Sequence, residues 1–146
     1  MAKDKTNLGS ANIDGKLFSA RFVLAIVLKV LGIAWVAWYY TAARNDPSAF
    51  PTQISELQGW NYVIGLGLLM LGLVVAAHPS TPLGRGRGVV VGMLFCFLFG
   101  LLWICVFYVF SNDLSSIPVF NDLGNWNLVF GIGWMAVGFT YATKWE

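Results

Sequence analysis

The sequence contains two copies of one unit, and this repeat limits the possible folds more than any other feature. Seven residues, including a Trp-Asn pair and three glycines, recur 66 positions further along the chain. The matched residues are Trp60, Asn61, Val63, Gly65, Gly67, Gly72 and Ala76, followed by Trp126, Asn127, Val129, Gly131, Gly133, Gly138 and Ala142. The preceding segments match at an offset of 68, where Val23, Gly32, Trp35 and Tyr40 correspond to Val91, Gly100, Trp103 and Tyr108. Because an internal repeat fixes the architecture, we predict a tandem duplication of a two-helix unit.

The composition places this repeat in a membrane. Hydrophobic residues make up 58% of the chain and charged residues 11%, whereas soluble domains have about 45–50% and about 25%. Four apolar stretches approach the length of about 20 residues that a membrane span needs. They are Phe22–Ala43, Trp60–Ala77, Val89–Phe110 and Trp126–Thr143. Since helices satisfy their own backbone in lipid, we predict an all-α integral membrane protein with four transmembrane helices in two parallel-repeat hairpins.

The distribution of charge predicts the orientation. Seven basic residues flank one side of the predicted spans: Lys3, Lys5, Lys16, Arg21, Arg85, Arg87 and Lys144. Only Arg44 lies on the other side, where the loops carry the carboxylates Asp46, Glu56, Asp113 and Asp122. The positive-inside rule therefore predicts a multi-pass plasma-membrane protein with both termini in the cytoplasm. The predicted parts are a polar cytoplasmic tail (1–21), a first membrane repeat (22–78), a cytoplasmic linker (79–88) and a second membrane repeat (89–146).

The sequence has few residues of the types that catalyse reactions or bind cofactors and metals. We find no catalytic constellation, no cofactor site and no metal site, and we predict a protein that is not an enzyme. The basic residues follow the membrane topology, so no nucleic-acid partner is expected. His78 ends the second span, and two interpretations remain open: a haem or pigment ligand, or a helix-end residue favoured by the C-terminal dipole. Lys144 occupies the equivalent position of the second copy, which favours the second interpretation.

Lys29 is the ionisable residue that lies well inside a predicted span. Such a residue is a functional candidate by default, and a contact with a partner protein is one interpretation. The alternative is that its side chain extends back to the cytoplasmic headgroups. Its counterpart in the second copy is Phe97, so its role is not a property of the repeat.

Small residues form the first set of interaction candidates. Gly72 and Ala76, and likewise Gly138 and Ala142, are spaced four residues apart on one face of a span. Such faces let helices approach closely in lipid. They either pack the four helices of this chain together or contact a partner.

The two Trp-Asn pairs form the second set. Trp60-Asn61 and Trp126-Asn127 begin the second span of each copy. We predict that each Asn satisfies free helix-terminal donors and that each Trp anchors at the membrane interface, with a partner contact as a further possibility. Other aromatic residues at the same ends are predicted as anchors too: Trp38, Tyr39, Tyr40, Tyr62 and Tyr108. The indole N–H groups of Trp35 and Trp103, deeper in their spans, each need a partner.

The motifs carry a family resemblance. Each copy has a span with an internal Gly-x-x-Trp, a short acidic loop with a proline, and a Trp-Asn pair that opens a glycine-rich span. The last motif reads Leu57-Gln58-Gly59-Trp60-Asn61-Tyr62 and Leu123-Gly124-Asn125-Trp126-Asn127-Leu128, and Thr143-Lys144-Trp145 closes the second copy. This pattern resembles the CrgA family of small actinobacterial cell-division membrane proteins.

The resemblance implies a two-span unit with a cytoplasmic N-terminus and a non-enzymatic septal adaptor role. Such an adaptor coordinates cytokinesis with peptidoglycan synthesis, and its partners are integral membrane proteins of those two processes, within the lipid bilayer. A different interpretation is an accessory structural subunit of a large respiratory or other bioenergetic membrane complex, whose partners would be the other subunits. A small multidrug-type transporter is the third, and the absence of Asp and Glu from all four spans argues against it.

Overall fold

The computed structural model describes residues 19–46, 48 and 51–144. In these residues the fold is all-helical and contains no strand. The helices are α1 (Ala20–Trp38), α2 (Thr52–Ser55), α3 (Trp60–Ala76), α4 (Arg87–Val109), α5 (Pro118–Leu123) and α6 (Trp126–Ala142). A π-helical turn, Tyr39–Ala43, prolongs α1, and the 3₁₀ turns Pro82–Gly84 and Leu114–Ser116 lie in the connections. Most of the predicted tail, residues 1–18, lies outside the described residues.

With the π-helical turn counted as part of α1, the four long helices begin and end within two residues of the predicted spans. Two segments, Ala20–Ala43 with 24 residues and Arg87–Val109 with 23, are long and apolar enough to cross a membrane. The helices α3 and α6 have 17 residues each. At 1.5 Å per residue this is roughly 26 Å, close to the lower limit for a span.

Each copy forms a hairpin whose long helices cross at a pair of glycines. In the first hairpin α1 packs on α3, and in the second α4 packs on α6. A Cβ added at Gly32 would lie 2.5 Å from the carbonyl oxygen of Gly65, and a Cβ added at Gly100 would lie 2.6 Å from that of Gly131. Only a residue without a side chain permits this approach of two backbones, so both copies depend on the same crossing.

The two hairpins meet along a seam between α3 and α6, the second long helix of each copy. At one end, which we call the outer end, the ring centroids of Trp60 and Trp126 are 5.5 Å apart. Towards the other, inner end, the hydroxyl of Tyr141 donates a hydrogen bond to the carbonyl of Leu73 at 2.7 Å. Trp60 and Trp126 are equivalent in the repeat, so this contact joins matching positions of the two copies.

Buried side chains form two clusters along this seam. The inner cluster contains Leu73, Ala77, Val89, Cys96, Trp134, Val137 and Tyr141. The outer cluster contains Tyr39, Ala43, Tyr62, Leu123 and Phe130. By contrast, α1 and α4 expose large apolar residues, among them Val30, Ile33, Leu98 and Leu102. Uncovered apolar faces of this length are suited to lipid as the surrounding solvent.

The connection between the copies, predicted as a linker over residues 79–88, is folded tightly against the helix ends. Thr81 is fully buried, and its hydroxyl contacts the carbonyl of Ala76 and donates to that of His78 at 2.9 Å. The same oxygen accepts from the N–H of Gly84 at 3.2 Å. Gly86 has a positive φ of 53° and open space around its Cα. The hydroxyl of Thr81 therefore holds the turn that leads into the second copy.

Candidate interaction sites

Trp60 and Trp126 contact each other across the seam rather than standing apart. Their rings are inclined at 58°, and the two residues remain 56% and 46% exposed. A half-exposed indole at a helix end is suited to the membrane interface. Their roles as anchors and as partner contacts stay predictions, now assigned to one joint aromatic surface.

Asn61 and Asn127 lie in the first turns of α3 and α6 and are fully buried. Each side-chain amide donates to two carbonyls of the preceding loop. These are Ile54 at 2.8 Å and Gln58 at 3.1 Å in the first copy, and Phe120 at 2.7 Å and Gly124 at 2.8 Å in the second. The prediction that the two amides satisfy helix-terminal donors is therefore wrong, because the side-chain nitrogen is itself the donor. Both residues fix the outer loop over the start of the helix.

The oxygen of the same amide differs between the copies. In the first copy Asn61 Oδ1 accepts from the indole N–H of Trp35 at 3.3 Å, which confirms the predicted need of that indole for a partner. The equivalent atoms, Asn127 Oδ1 and Trp103 Nε1, are buried without a partner among the described residues. The ring of Trp103 instead stacks on Phe120, with centroids 4.8 Å apart and an angle of 27°. The two copies thus share the loop contact and differ in the helix contact.

An ion pair joins the outer loops of the two copies. Arg44 Nε lies 2.9 Å from Asp122 Oδ2, and this bond raises the pKa of the Arg44 guanidinium. The two positions correspond to Ser111 and Glu56 in the other copy, so the reciprocal pair cannot form. The carbonyl of Asp122 also lies against Gly59, where an added Cβ would approach it to 2.7 Å. The sequence does not predict this contact, and its one signal there is an arginine on the otherwise acidic side.

An open cleft of about 680 Å³ lies beside the ion pair. Its lining includes Arg44, Ser55, Glu56, Gln58 and Asp122, so both signs of charge face it.

Tyr39 and Tyr62 lie in the outer core beneath this surface. They are 5% and 0% exposed, and their rings meet edge to face with centroids 4.9 Å apart. The prediction that both act as interfacial anchors is wrong, because both rings are buried in the outer cluster.

The small residues predicted as interaction candidates face their own hairpins. A Cβ added at Gly72 would lie 2.8 Å from Lys29 Cγ, and one added at Gly138 would lie 3.2 Å from the ring of Phe97. Ala76 is 2% exposed. These three positions are in packing contacts within the chain, which was one of the two interpretations. Ala142 is partly exposed, and a partner contact there stays a prediction.

Lys29 is half-buried in α1, with its methylene stem against Gly72. Its counterpart Phe97 has the same relation to Gly138. The lysine stem therefore fills the space that an aromatic ring fills in the second copy. A contact of its ammonium group with a partner protein stays a prediction.

His78 lies at the inner end, between cationic groups of both copies. The guanidinium of Arg21 contacts its ring nitrogens, and Nδ1 accepts from the backbone N–H of Ser80 at 3.1 Å. Desolvation lowers the pKa of His78 below its usual 6.5, and the charges of Arg21 and Lys144 lower it further. The neutral ring is thus favoured, because nearby cations oppose a charge on it. His78 lies at the helix end, and the choice between a ligand role and a helix-end role stays a prediction.

Comparison with known proteins agrees with this doubled architecture. The family of the cell division protein CrgA matches residues 4–78 and again residues 81–146. The cell division protein CrgA of Streptomyces avermitilis is 45% identical over 67 residues, which are 46% of this chain and 75% of that protein. No solved structure matches the chain. The comparisons give no support to an accessory subunit of a bioenergetic complex. The chain belongs to the CrgA family of cell-division membrane proteins, with one family match on each of its two hairpins.

Proposed function

We propose that the chain is a non-enzymatic membrane adaptor that coordinates septation with peptidoglycan synthesis by binding other integral membrane proteins. The observation that supports this proposal is the doubled family unit, in which two hairpins with the same glycine crossing lie side by side along one seam. The outward faces of α1 and α4 carry large apolar side chains that the chain itself leaves uncovered. Van der Waals packing against such a face is one of the forces that associate helices in lipid.

Equivalent positions on these two faces provide matched docking sites. Ile33 on α1 and Leu101 on α4 correspond in the repeat and are 59% and 54% exposed. Covalent linkage makes the second of two contacts intramolecular, which raises its effective concentration. A duplicated adaptor therefore holds two division proteins, or two copies of one, more firmly than a single hairpin does.

We further propose four spans with both termini and the central connection in the cytoplasm. All carboxylates of the described residues lie in the outer loops: Asp46, Glu56, Asp113 and Asp122. Arg21, Arg85, Arg87 and Lys144 lie at or near the inner end. This division of charge is the one that the positive-inside rule associates with a cytoplasmic inner end.

Cysteine labelling in cells tests this topology. Cys96 and Cys105 are first replaced by Ser, and single cysteines are then introduced as Ser115→Cys in an outer loop and Thr143→Cys at the inner end. A membrane-impermeant maleimide should label the first variant in intact cells and the second only after permeabilisation. Labelling of both in intact cells, or the opposite pattern, would contradict the proposed orientation.

Purification of the tagged full chain from its host in mild detergent, with mass spectrometry of the bound proteins, tests the adaptor role. Division and peptidoglycan-synthesis proteins should be enriched, and the double variant Ile33→Trp/Leu101→Trp should lose them. Ile132→Trp is the matched control, because Ile132 is 53% exposed on α6 rather than on the proposed docking faces. Stoichiometric oxidase or reductase subunits, or equal recovery from all three proteins, would contradict the proposal.

Cleavage of the connection tests the value of the duplication. A protease site inserted at the exposed Gly86 separates the hairpins after membrane insertion. Retention of partners should fall on cleavage, since the second contact is then no longer intramolecular. Unchanged retention and unchanged complementation of division would show that the linkage contributes nothing.

A further inference from the structure

A second surface, at the inner end of the seam, is separate from the proposed docking faces. An open groove of about 410 Å³ lies between the last turns of α3 and α6. Val74 and Ala77 line it from the first copy, and Phe139 and Thr140 line it from the second. The groove is mostly apolar, and it reaches the helix ends, where hydrocarbon gives way to headgroups. Its size is within the range of about 300–1,000 Å³ that is usual for ligand pockets.

The mouth of the groove is cationic. Lys144 and the ring of His78 line it, and its positive charge comes from the ammonium group of Lys144 and from the guanidinium of Arg21, which contacts His78. The carboxylates of the described residues all lie in the loops at the opposite end of the helices. The positive charge at the mouth is therefore uncompensated within the part of the chain that the structure describes.

We propose that this groove binds one anionic phospholipid, with an acyl chain against Val74 and Phe139 and the headgroup phosphate beside Lys144 and the Arg21–His78 pair. The apolar lining selects a molecule with a hydrocarbon chain, and the cations select a negative headgroup. A soluble anion satisfies only the second requirement. Because the groove is built from α3 and α6 together, the lipid bridges the two copies of the repeat.

Native mass spectrometry of the full chain, released from nanodiscs of defined composition, measures this binding. Nanodiscs contain equal amounts of phosphatidylglycerol and phosphatidylcholine with the same acyl chains. One phosphatidylglycerol molecule should be retained in preference to phosphatidylcholine. Lys144→Gln should lower that preference about fivefold, the effect of one basic residue near an anionic headgroup. Arg87→Gln removes the same charge from a residue that does not line the groove, and it should leave the preference unchanged.

A substitution in the apolar part gives an independent measurement. Val74→Trp fills the groove, whereas Val91→Trp places the same ring on the exposed face of α4, where Val91 is 61% exposed. Only the first change should reduce the retained phosphatidylglycerol, and millimolar inorganic phosphate should not displace it. Equal retention of both lipids would overturn the proposal. The proposal would also be overturned if Lys144→Gln and Arg87→Gln lowered the preference equally, or if the two Trp variants retained equal amounts of phosphatidylglycerol. Displacement of the lipid by phosphate would overturn it as well.

Discussion

The glycine crossing of the first hairpin can be tested by adding a single methyl group. In Gly32→Ala the new Cβ would lie 2.5 Å from the carbonyl oxygen of Gly65 and 2.8 Å from the amide nitrogen of Leu69. Ordinary contacts of a Cβ are 3.4–4 Å. Both opposing atoms belong to the backbone of α3, so no side chain can rotate away. The two helices must therefore separate by about 1 Å at the crossing.

Two opposing effects set the magnitude. Overpacking of a close interface costs about 1–3 kcal/mol. Alanine is a better helix former than glycine, and this difference stabilises the helix by up to about 1 kcal/mol. The separation also stretches the bond between Trp35 and Asn61 near the crossing, at 3.3 Å before the change. A polar contact between membrane helices contributes about 0.6 kcal/mol on average. With the full return from helix propensity, we therefore expect Gly32→Ala to lower the free energy of unfolding by about 0.6–2.6 kcal/mol.

Unfolding in mixed micelles by increasing mole fractions of sodium dodecyl sulfate, followed by Trp fluorescence, measures the effect. Gly67→Ala is the matched control, because Gly67 lies on α3 and a Cβ there meets no atom within 4 Å. It should be neutral or slightly stabilising. Gly100→Ala, whose Cβ would lie 2.6 Å from the carbonyl oxygen of Gly131, should repeat the loss. Equal stability of Gly32→Ala and Gly67→Ala would show that α1 and α3 do not cross this closely at Gly32.

Three further measurements follow from the polar contacts. In the same unfolding assay, Asn61→Ala should lose about 0.6 kcal/mol more than Asn127→Ala, because only Asn61 also accepts from an indole; equal losses would contradict this. Asp122→Asn should destabilise by no more than about 1 kcal/mol, since its pair with Arg44 is partly exposed, and a loss that persists in high salt would argue against an ionic contact. NMR titration of His78 in zwitterionic micelles should give a pKa below 6.5, because the ring is desolvated beside cations, and added salt should raise that pKa by screening those cations. A pKa above 6.5 at low salt would contradict the described surroundings.

The sequence predicts the hairpins well because their determinants recur. The glycines at the crossings and the Trp-Asn pairs have equivalents at fixed offsets, and the glycine crossings and the Asn contacts with the preceding loop are alike in both copies. The side chain that packs on Gly72 is Lys29, and the one that packs on Gly138 is Phe97. Two unlike side chains therefore fill the same position of the repeat unit. Local pattern is sufficient there because each hairpin packs mainly on itself.

The contacts between hairpins are less accessible to sequence reasoning. The helices α3 and α6 are apolar on nearly every face, so hydrophobic periodicity does not distinguish the side that meets lipid from the side that meets the other copy. The position of an aromatic residue along a span also does not show whether its ring lies at the interface or in the core. Tyr39 and Tyr62 lie at the predicted depth of interfacial anchors, yet both are in the core. Likewise, the donor role of Asn61 depends on how the preceding loop folds back over the helix, which no spacing in the sequence indicates.

The seam itself explains why two copies in one chain differ from two separate copies. The aromatic contact between Trp60 and Trp126 joins equivalent residues, so any pair of hairpins has the two rings that it needs. The polar contacts are not, because Arg44 pairs with Asp122 while the reciprocal positions hold Ser111 and Glu56. An assembly of two second hairpins would place Ser111 opposite Asp122. An assembly of two first hairpins would place Arg44 opposite Glu56 twice. These two assemblies therefore differ in charge from each other and from the pairing within this chain. Discrimination between partners arises from such differences in pairing. Divergence at the seam, with the glycine crossings retained, thus disfavours association of two second hairpins, because that pair has no arginine to place opposite Asp122.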